Sequence, residues 1–354
     1  MASHNLCISK KKSGDICNKP GKFNIDDNYY CGIHFKKISK KDNNLNEVTN
    51  SEKNINVIKV DNIIDNEFIY IKNIIESKIN FKINNCINNN TLGDYYLVTN
   101  TDSNKQYIMK LLYHKKNNSQ ILKRYRDLLF WEYMILSKHF TNNSNVVKLY
   151  DIKASYLSIN DEIYYIVLLI MEYYSDSLND RINRLKIFNE NQIKSYGIQL
   201  INTIKELHNK GYIYINFNLN NLIFKNTNTE IIIYNNFQLC EKYIDIKGIH
   251  IEQKKLNNTT GTDMFSSIYC NSCRSSDRVG DIQSIGYILL YLYNGKLPWS
   301  TKKSPKSILL AKKNIIESTT FIESPKYLKD FIIESYNYNY SDKPYYSNFI
   351  TYLS

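Results

Sequence analysis

Strand-like runs precede helical ones along this chain, and that order limits the folds open to it. Tyr95–Val98 and Tyr107–Leu112 are short apolar runs bounded by turns rich in Asn, Thr, Asp and Ser, and they read as paired strands. From Ser119 to Phe140, apolar residues at Leu122, Tyr125, Leu128, Leu129, Trp131 and Ile135 recur close to the helical period, predicting a helix. Val146–Tyr174 gives further strand-like runs around a turn at Ile159–Asp161. After Asn189 helices dominate, the clearest being Asn191–Asn209 and Asp281–Tyr293, the latter stopped by Asn294 and Gly295. A small β-rich lobe over 65–174 followed by a larger helical lobe over 175–354 is an α+β arrangement. A cleft between two such lobes is the expected ligand site.

With 354 residues and 43% hydrophobic content, the chain can bury a sizeable core. Its longest apolar run, Ile163–Met171, falls far short of the roughly 18 residues a membrane helix needs, so no membrane association is expected. The first residues lack the basic-then-apolar layout of a secretion signal, and seven cysteines, an odd number, argue against a disulfide framework. A cytoplasmic protein is the expectation. The net charge of +12 favours acidic partners, either nucleic acid or acidic protein segments. The abundance of Lys, Asn, Ile and Tyr also fits the coding bias of an AT-rich genome, which raises lysine without any partner.

Residues 1–37 read as a separate module, 38–64 as a polar linker, and 65–354 as the main domain. The module carries Cys7, Cys17, Cys31 and His34, the last two in a C-x-x-H pair, with Gly14, Pro20, Gly21 and Gly32 supplying turns. Segments below about 40 residues have little core of their own, and a tetrahedral zinc site on these side chains would supply folding energy. Free thiols in a flexible tail are the alternative. Lys10–Lys12, Lys36 and Lys37 flank the module and allow contact with nucleic-acid phosphates, although a solvated charge run is the plainer reading. Cys270 and Cys273 form a bare C-x-x-C with no second pair nearby, and read as incidental.

Several motifs then fall in a fixed order. The segment Leu207–Phe224 places Asn216, Asn218 and Asn221 in the spacing of H-x-D-x-K-x-x-N, and Asn236-Phe237-Gln238 follows in the place of D-F-G. Gly261-Thr262-x-x-Phe265-x-Ser267-Ile268, Arg278-x-Gly280-Asp281 with Gly286-Tyr287, Leu297-Pro298-Trp299 and Tyr340-x-Asp342-Lys343-Pro344-x-Tyr346 come next. With the element order, these resemble the bilobal protein kinase fold over roughly 80–354, and more closely the vaccinia-related kinases and their casein-kinase-one relatives. Poxviruses carry such relatives, and the AT-biased composition is similar to that of an insect poxvirus, so the resemblance implies a viral protein of the host cytoplasm.

The resemblance assigns roles residue by residue. Lys110 would neutralise nucleotide phosphates and pair with Glu132. The glycine slots of the phosphate-covering loop fall at Asn88, Asn90 and Gly93, and only the last is glycine. Side chains at the first two occupy space that phosphates need, so ATP affinity is expected to be weak or absent; an Asn-rich hairpin turn is the plainer reading of the same stretch. Asn216 removes a general base worth about 10²–10⁴ in rate, and Asn218 removes the cation beside the transferring group. Asn236 offers Mg²⁺ a neutral oxygen where hard cations prefer carboxylate; Asn221 alone keeps its usual residue. Asp281 is expected to hold the catalytic-loop backbone. Kept structural motifs with lost chemical ones imply a pseudokinase that works through protein partners. An atypical active Ser/Thr kinase and a nucleic-acid-binding protein are the alternatives.

Overall fold

The computed structural model describes residues 23–25, 28–30, 64–90, 93–115, 120–141, 143–159, 162–186 and 188–354. Cys7, Cys17, Cys31 and His34 lie outside the described residues, as does the expected linker up to residue 63. A short hairpin pairs β1 (Phe23–Ile25) with β2 (Asn28–Tyr30). Beyond it the described chain divides into two compact units, a first within Asn56–Tyr133 and Leu149–Tyr173 and a second within Met134–Lys148 and Tyr174–Ser354.

The first unit is built on a five-stranded antiparallel sheet. Its strands are β3 (Phe81–Asn90), β4 (Gly93–Asn100), β5 (Gln106–Lys115), β6 (Leu149–Ile159) and β7 (Glu162–Glu172), in the order β3-β4-β5-β7-β6. The alternation of side chains along each strand gives the sheet two faces. One face presents Ile83, Tyr96, Val98, Met109, Leu111, Leu168 and Ile170 to a helix, α1 (Ile64–Lys78), that the sequence reading did not foresee. Ile64, expected to end the linker, is its first residue. Phe68, Ile71, Ile74, Ile75 and Ile79 recur at helical spacing and pack on the sheet, with Phe68 stacked 5.1 Å from Tyr96. Asparagines and charges between those positions obscure the stripe in the sequence. A second helix, α2 (Gln120–His139), confirms the 3.6 period and gives its residues up to Tyr133 to this unit.

The second unit is mostly helical. The helix α3 (Leu178–Leu185) is capped by Ser177 and Asp180 in a reciprocal capping box, and Asn189 and Gln192 do the same for α4 (Glu190–Asn209). Along α4, Ile193, Leu200, Ile201, Ile204 and Leu207 bury one face. Helix α5 (Ile268–Asn271) precedes α6 (Arg278–Asn294), which is buried on nearly all sides from Val279 to Leu292 and ends at Gly295 in the left-handed conformation (φ 67°). A Cβ at Gly197 would sit 2.6 Å from Leu353 and 2.9 Å from Leu289, so the absence of a side chain there lets α4 approach its neighbours. Helices α7 (Pro305–Lys313), α8 (Thr319–Ile322), α9 (Lys326–Asn337) and α10 (Tyr346–Leu353) complete the unit. Among the described residues no helix is long and apolar enough to cross a membrane.

Helix α1 contributes to the core of the first unit, and Ile71 is fully buried within it. The substitution Ile71→Ala should lower unfolding free energy by about 2–5 kcal/mol in urea titrations. Ile69→Ala, on the same helix but 52% exposed, should change it by less than about 0.5 kcal/mol.

Candidate functional site

Two short strand pairs in the second unit frame the catalytic-loop segment. Strand β9 (Tyr212–Ile213) pairs with β12 (Glu241–Lys242), and β10 (Leu222–Phe224) pairs with β11 (Ile232–Tyr234), with β8 (Asp176–Ser177) on the other edge of β10. The register Leu222↔Tyr234 sets Asn221 beside Asn235, whose N–H donates to the Asn221 carbonyl at 2.9 Å. The loops 214–221 and 235–239 are thereby held side by side.

Asp281, on the first turn of α6, fixes the first of these loops. Its carboxylate accepts the N–H groups of Tyr214 at 2.7 Å and Ile215 at 2.9 Å, and lies 2.9 Å from Nε2 of His208. The structural role expected of Asp281 is therefore present in the geometry. Ile215 adopts φ 64°, a left-handed conformation that a β-branched residue avoids, and Asp281 holds its N–H. Gly261 permits the same turn from the other side: it has φ 72°, and a Cβ there would stand 3.1 Å from the Ile215 carbonyl oxygen. Tyr214 donates its hydroxyl to the Asn235 carbonyl and meets Phe237 edge-on at 5.3 Å.

The structure brings Asn216, Asn221 and Asn236 together. Asn216 Nδ2 donates to the Asn236 carbonyl at 3.0 Å, Asn236 Nδ2 approaches Asn221 Oδ1 at 3.4 Å, and Asn221 Nδ2 donates to the Asn216 carbonyl at 2.9 Å. These contacts close a ring of neutral amides. Asn236 itself is left-handed (φ 59°), a conformation asparagine tolerates. Asn218 stands slightly apart, donating to the Thr262 hydroxyl at 3.3 Å and accepting the Asn220 N–H at 2.9 Å. Asn236 Oδ1 and both polar atoms of the Gln238 side chain are buried without a hydrogen-bond partner. A lone neutral oxygen is a poor ligand for Mg²⁺, which is usually held by one or two carboxylates. These residues do not fit the metal.

Lys110 and Glu132 meet within the first unit. The Lys110 ammonium lies 2.7 Å and 2.8 Å from the two Glu132 oxygens, and both side chains are buried. Burial opposes the lysine charge, but the Glu132 carboxylate and Tyr95 hold its pKa above the ordinary lysine range. Gly93 opens β4 opposite Asn90, and Asn88 pairs with Tyr95, so the expected phosphate-covering loop is a β3–β4 hairpin.

Two groups in this site escaped the sequence reading. Lys312 on α7 is buried, and its ammonium donates to the carbonyls of Asp263 at 2.7 Å and Ser266 at 2.6 Å and to Asn271 Oδ1 at 2.7 Å. It also sits 5.0 Å from the Trp299 ring and 4.9 Å from Tyr287. Burial pulls its pKa down to about 7, while the acceptors use all three ammonium protons. Trp299 closes the same corner, its Nε1 donating to the Met264 carbonyl at 2.8 Å. His208 is the other. Burial holds its pKa below the ordinary imidazole value and favours the neutral ring, with Nε2–H donating to Asp281 and Nδ1 accepting from Tyr346 at 2.7 Å. Lys312, one lysine among many and outside every motif, gives no sequence signal. Cys270 is buried, Cys273 is half-buried, and both thiols are free. Among the described residues no group of three or more His, Cys, Asp or Glu side chains is placed to hold a metal ion.

Removing the Asp281 carboxylate strands two backbone N–H groups, so Asp281→Ala should cost about 3–5 kcal/mol in chemical denaturation. Because His208 is uncharged when folded, the unfolded chain takes up the proton first as pH falls below 6.5. Stability should therefore decline on acidification from that point, and His208→Gln should flatten this part of the melting-temperature profile.

The protein kinase domain model matches residues 81–350. A curated relative, casein kinase I homolog 3 of Schizosaccharomyces pombe, is 26% identical over 190 residues, which cover 51% of this chain and 43% of that protein. The match thus spans less than half the length of that relative. Helix α1, although part of the first unit's core, lies before the matched residues. The model covers most of the chain and includes both the Lys110–Glu132 pair and the asparagine-bearing loops: this chain belongs to the protein kinase domain family.

Proposed function

We propose that this kinase-domain protein does not transfer phosphate and acts as a regulatory or scaffolding pseudokinase, recognised by protein partners. The ring of amides at Asn216, Asn221 and Asn236 carries the reading. An amide is no base at neutral pH, and the ring ties its members to one another and contributes no negative charge for a divalent cation. Loss of the base, of the cation at Asn218 and of the metal-binding carboxylate at Asn236 act on separate parts of the reaction, so their effects on rate compound. The finer placement, beside vaccinia-related kinases and in a poxvirus-like cytoplasmic setting, draws on the motif resemblance and the base composition. A structural zinc on Cys7, Cys17, Cys31 and His34, and contact of the adjoining basic residues with nucleic acid, belong to the same proposal for the N-terminal module.

One observation favours a second reading, an atypical active Ser/Thr kinase that transfers the ATP γ-phosphate. Lys110 and Glu132 keep the ion pair that active kinases require. Radiolabelled γ-phosphate transfer to a general protein substrate, with Mg²⁺ or Mn²⁺, separates the two. We expect no turnover above the uncatalysed background; an ordinary kinase rate of about 1–100 s⁻¹ would establish the second reading instead.

A further inference from the structure

Tyr95 and Lys110 are direct cross-strand partners in β4 and β5, so their side chains share one face of the sheet. It is the face opposite α1, whose cluster takes the alternate residues Tyr96, Met109 and Leu111. On it the Lys110 ammonium stands 5.2 Å from the Tyr95 ring centroid. Glu132 supplies two carboxylate oxygens to the same ammonium at 2.7 Å and 2.8 Å. An ammonium carries three donors. Two face Glu132, the Tyr95 ring lies on the remaining side, and the lysine is left only 1% exposed. A phosphate oxygen approaching Lys110 would find no open side.

We propose that Tyr95 is a built-in plug on Lys110, an autoinhibitory contact that withholds the lysine from the phosphates of a nucleoside triphosphate. Glu132 alone would neutralise and orient the lysine while leaving one donor free, so the tyrosine adds occlusion rather than charge balance. Tyr95 is only partly buried, in contrast to its neighbour Tyr96 in the core, so it can be replaced without emptying the α1-facing cluster. Valine suits the same strand position and brings neither ring nor hydroxyl. The inference rests on the reading of this chain as a kinase-like protein without phosphoryl transfer, and extends that reading from chemistry to nucleotide binding.

The test is calorimetric titration of ATP, with and without Mg²⁺, into full-length wild type, Tyr95→Val, Tyr95→Phe and Tyr95→Val with Lys110→Met. γ-Phosphate transfer is measured on the same samples, and circular dichroism confirms that each variant folds. Tyr95→Val should bind ATP at least about tenfold more tightly than wild type. Tyr95→Phe, which keeps the ring beside the lysine, should gain less, and adding Lys110→Met should cancel the gain. Acetylation of Lys110 by a water-soluble ester, read by peptide mass spectrometry, should also run at least about tenfold faster in Tyr95→Val. No gain in ATP affinity in folded Tyr95→Val overturns the plug, whether both proteins bind or neither does. Wild type that binds ATP equally well without transferring phosphate removes the plug and leaves the inactive reading standing. Transfer by Tyr95→Val but not by wild type keeps the plug and overturns the argument from the amide ring.

Discussion

The Asp281 carboxylate is the contact on which the candidate site depends. It is a buried anion, and it is stabilised by two backbone N–H groups and the His208 imidazole rather than by a neighbouring cation. Left-handed backbone at a non-glycine residue costs on the order of 1–3 kcal/mol, and Ile215 is held there by that carboxylate and by the clearance at Gly261. The turn this produces delivers Asn216 toward Asn236 and lets Asn221 reach back to the Asn216 carbonyl. A relaxed Ile215 would point the following residues elsewhere.

Charge in this protein is kept where it organises backbone. Arg181 is buried, bonded to Asp176 at 2.8 Å and Glu230 at 3.0 Å, and lies 3.4 Å from the Phe224 ring. Lys312 ties together carbonyls at the end of the Gly261–Ser267 segment, and Asp281 ties together the catalytic loop. Each of these groups has its hydrogen-bonding capacity met inside the fold, which is the condition for a buried charge to be tolerated. At Asn216, Asn218 and Asn236 the resemblance to kinases calls for charges that act on a nucleotide, a metal or a substrate, and neutral amides stand there. Asn216 and Asn236 hydrogen-bond within the two loops and Asn218 bonds to Thr262 and Asn220, so these amides hold loop backbone in place.

Much of the framework was legible from the sequence. Paired strands over Tyr95–Val98 and Tyr107–Leu112, the helix over Ser119–Phe140 and the stop at Gly295 follow from local periodicity and backbone preference, and the structure contains each of them. The motif spacing likewise assigns Asn216 and Asn236 to one site. Helix α1 was not legible, because its apolar stripe is thin and has meaning only against the sheet face that it covers. His208 and Lys312 were not legible either: their partners lie 73 and 41 to 49 residues away, and local sequence carries no trace of such contacts.

The sequence by itself determined the family-level fold and the loss of carboxylates, since residue identity at a motif position decides whether a base or a hard metal ligand can exist there. It also determined the order of the main strands and helices after α1, because the periods of 2 and 3.6 are local properties of the backbone. Only the tertiary structure decided what those residues do to one another. The closing of three asparagines into a ring, the neutral tautomer of His208 and the covering of Lys110 by Tyr95 depend on angstrom-scale distances between strands and loops remote in the chain. Hydrogen bonds and desolvation act over such distances, and a linear pattern does not encode them.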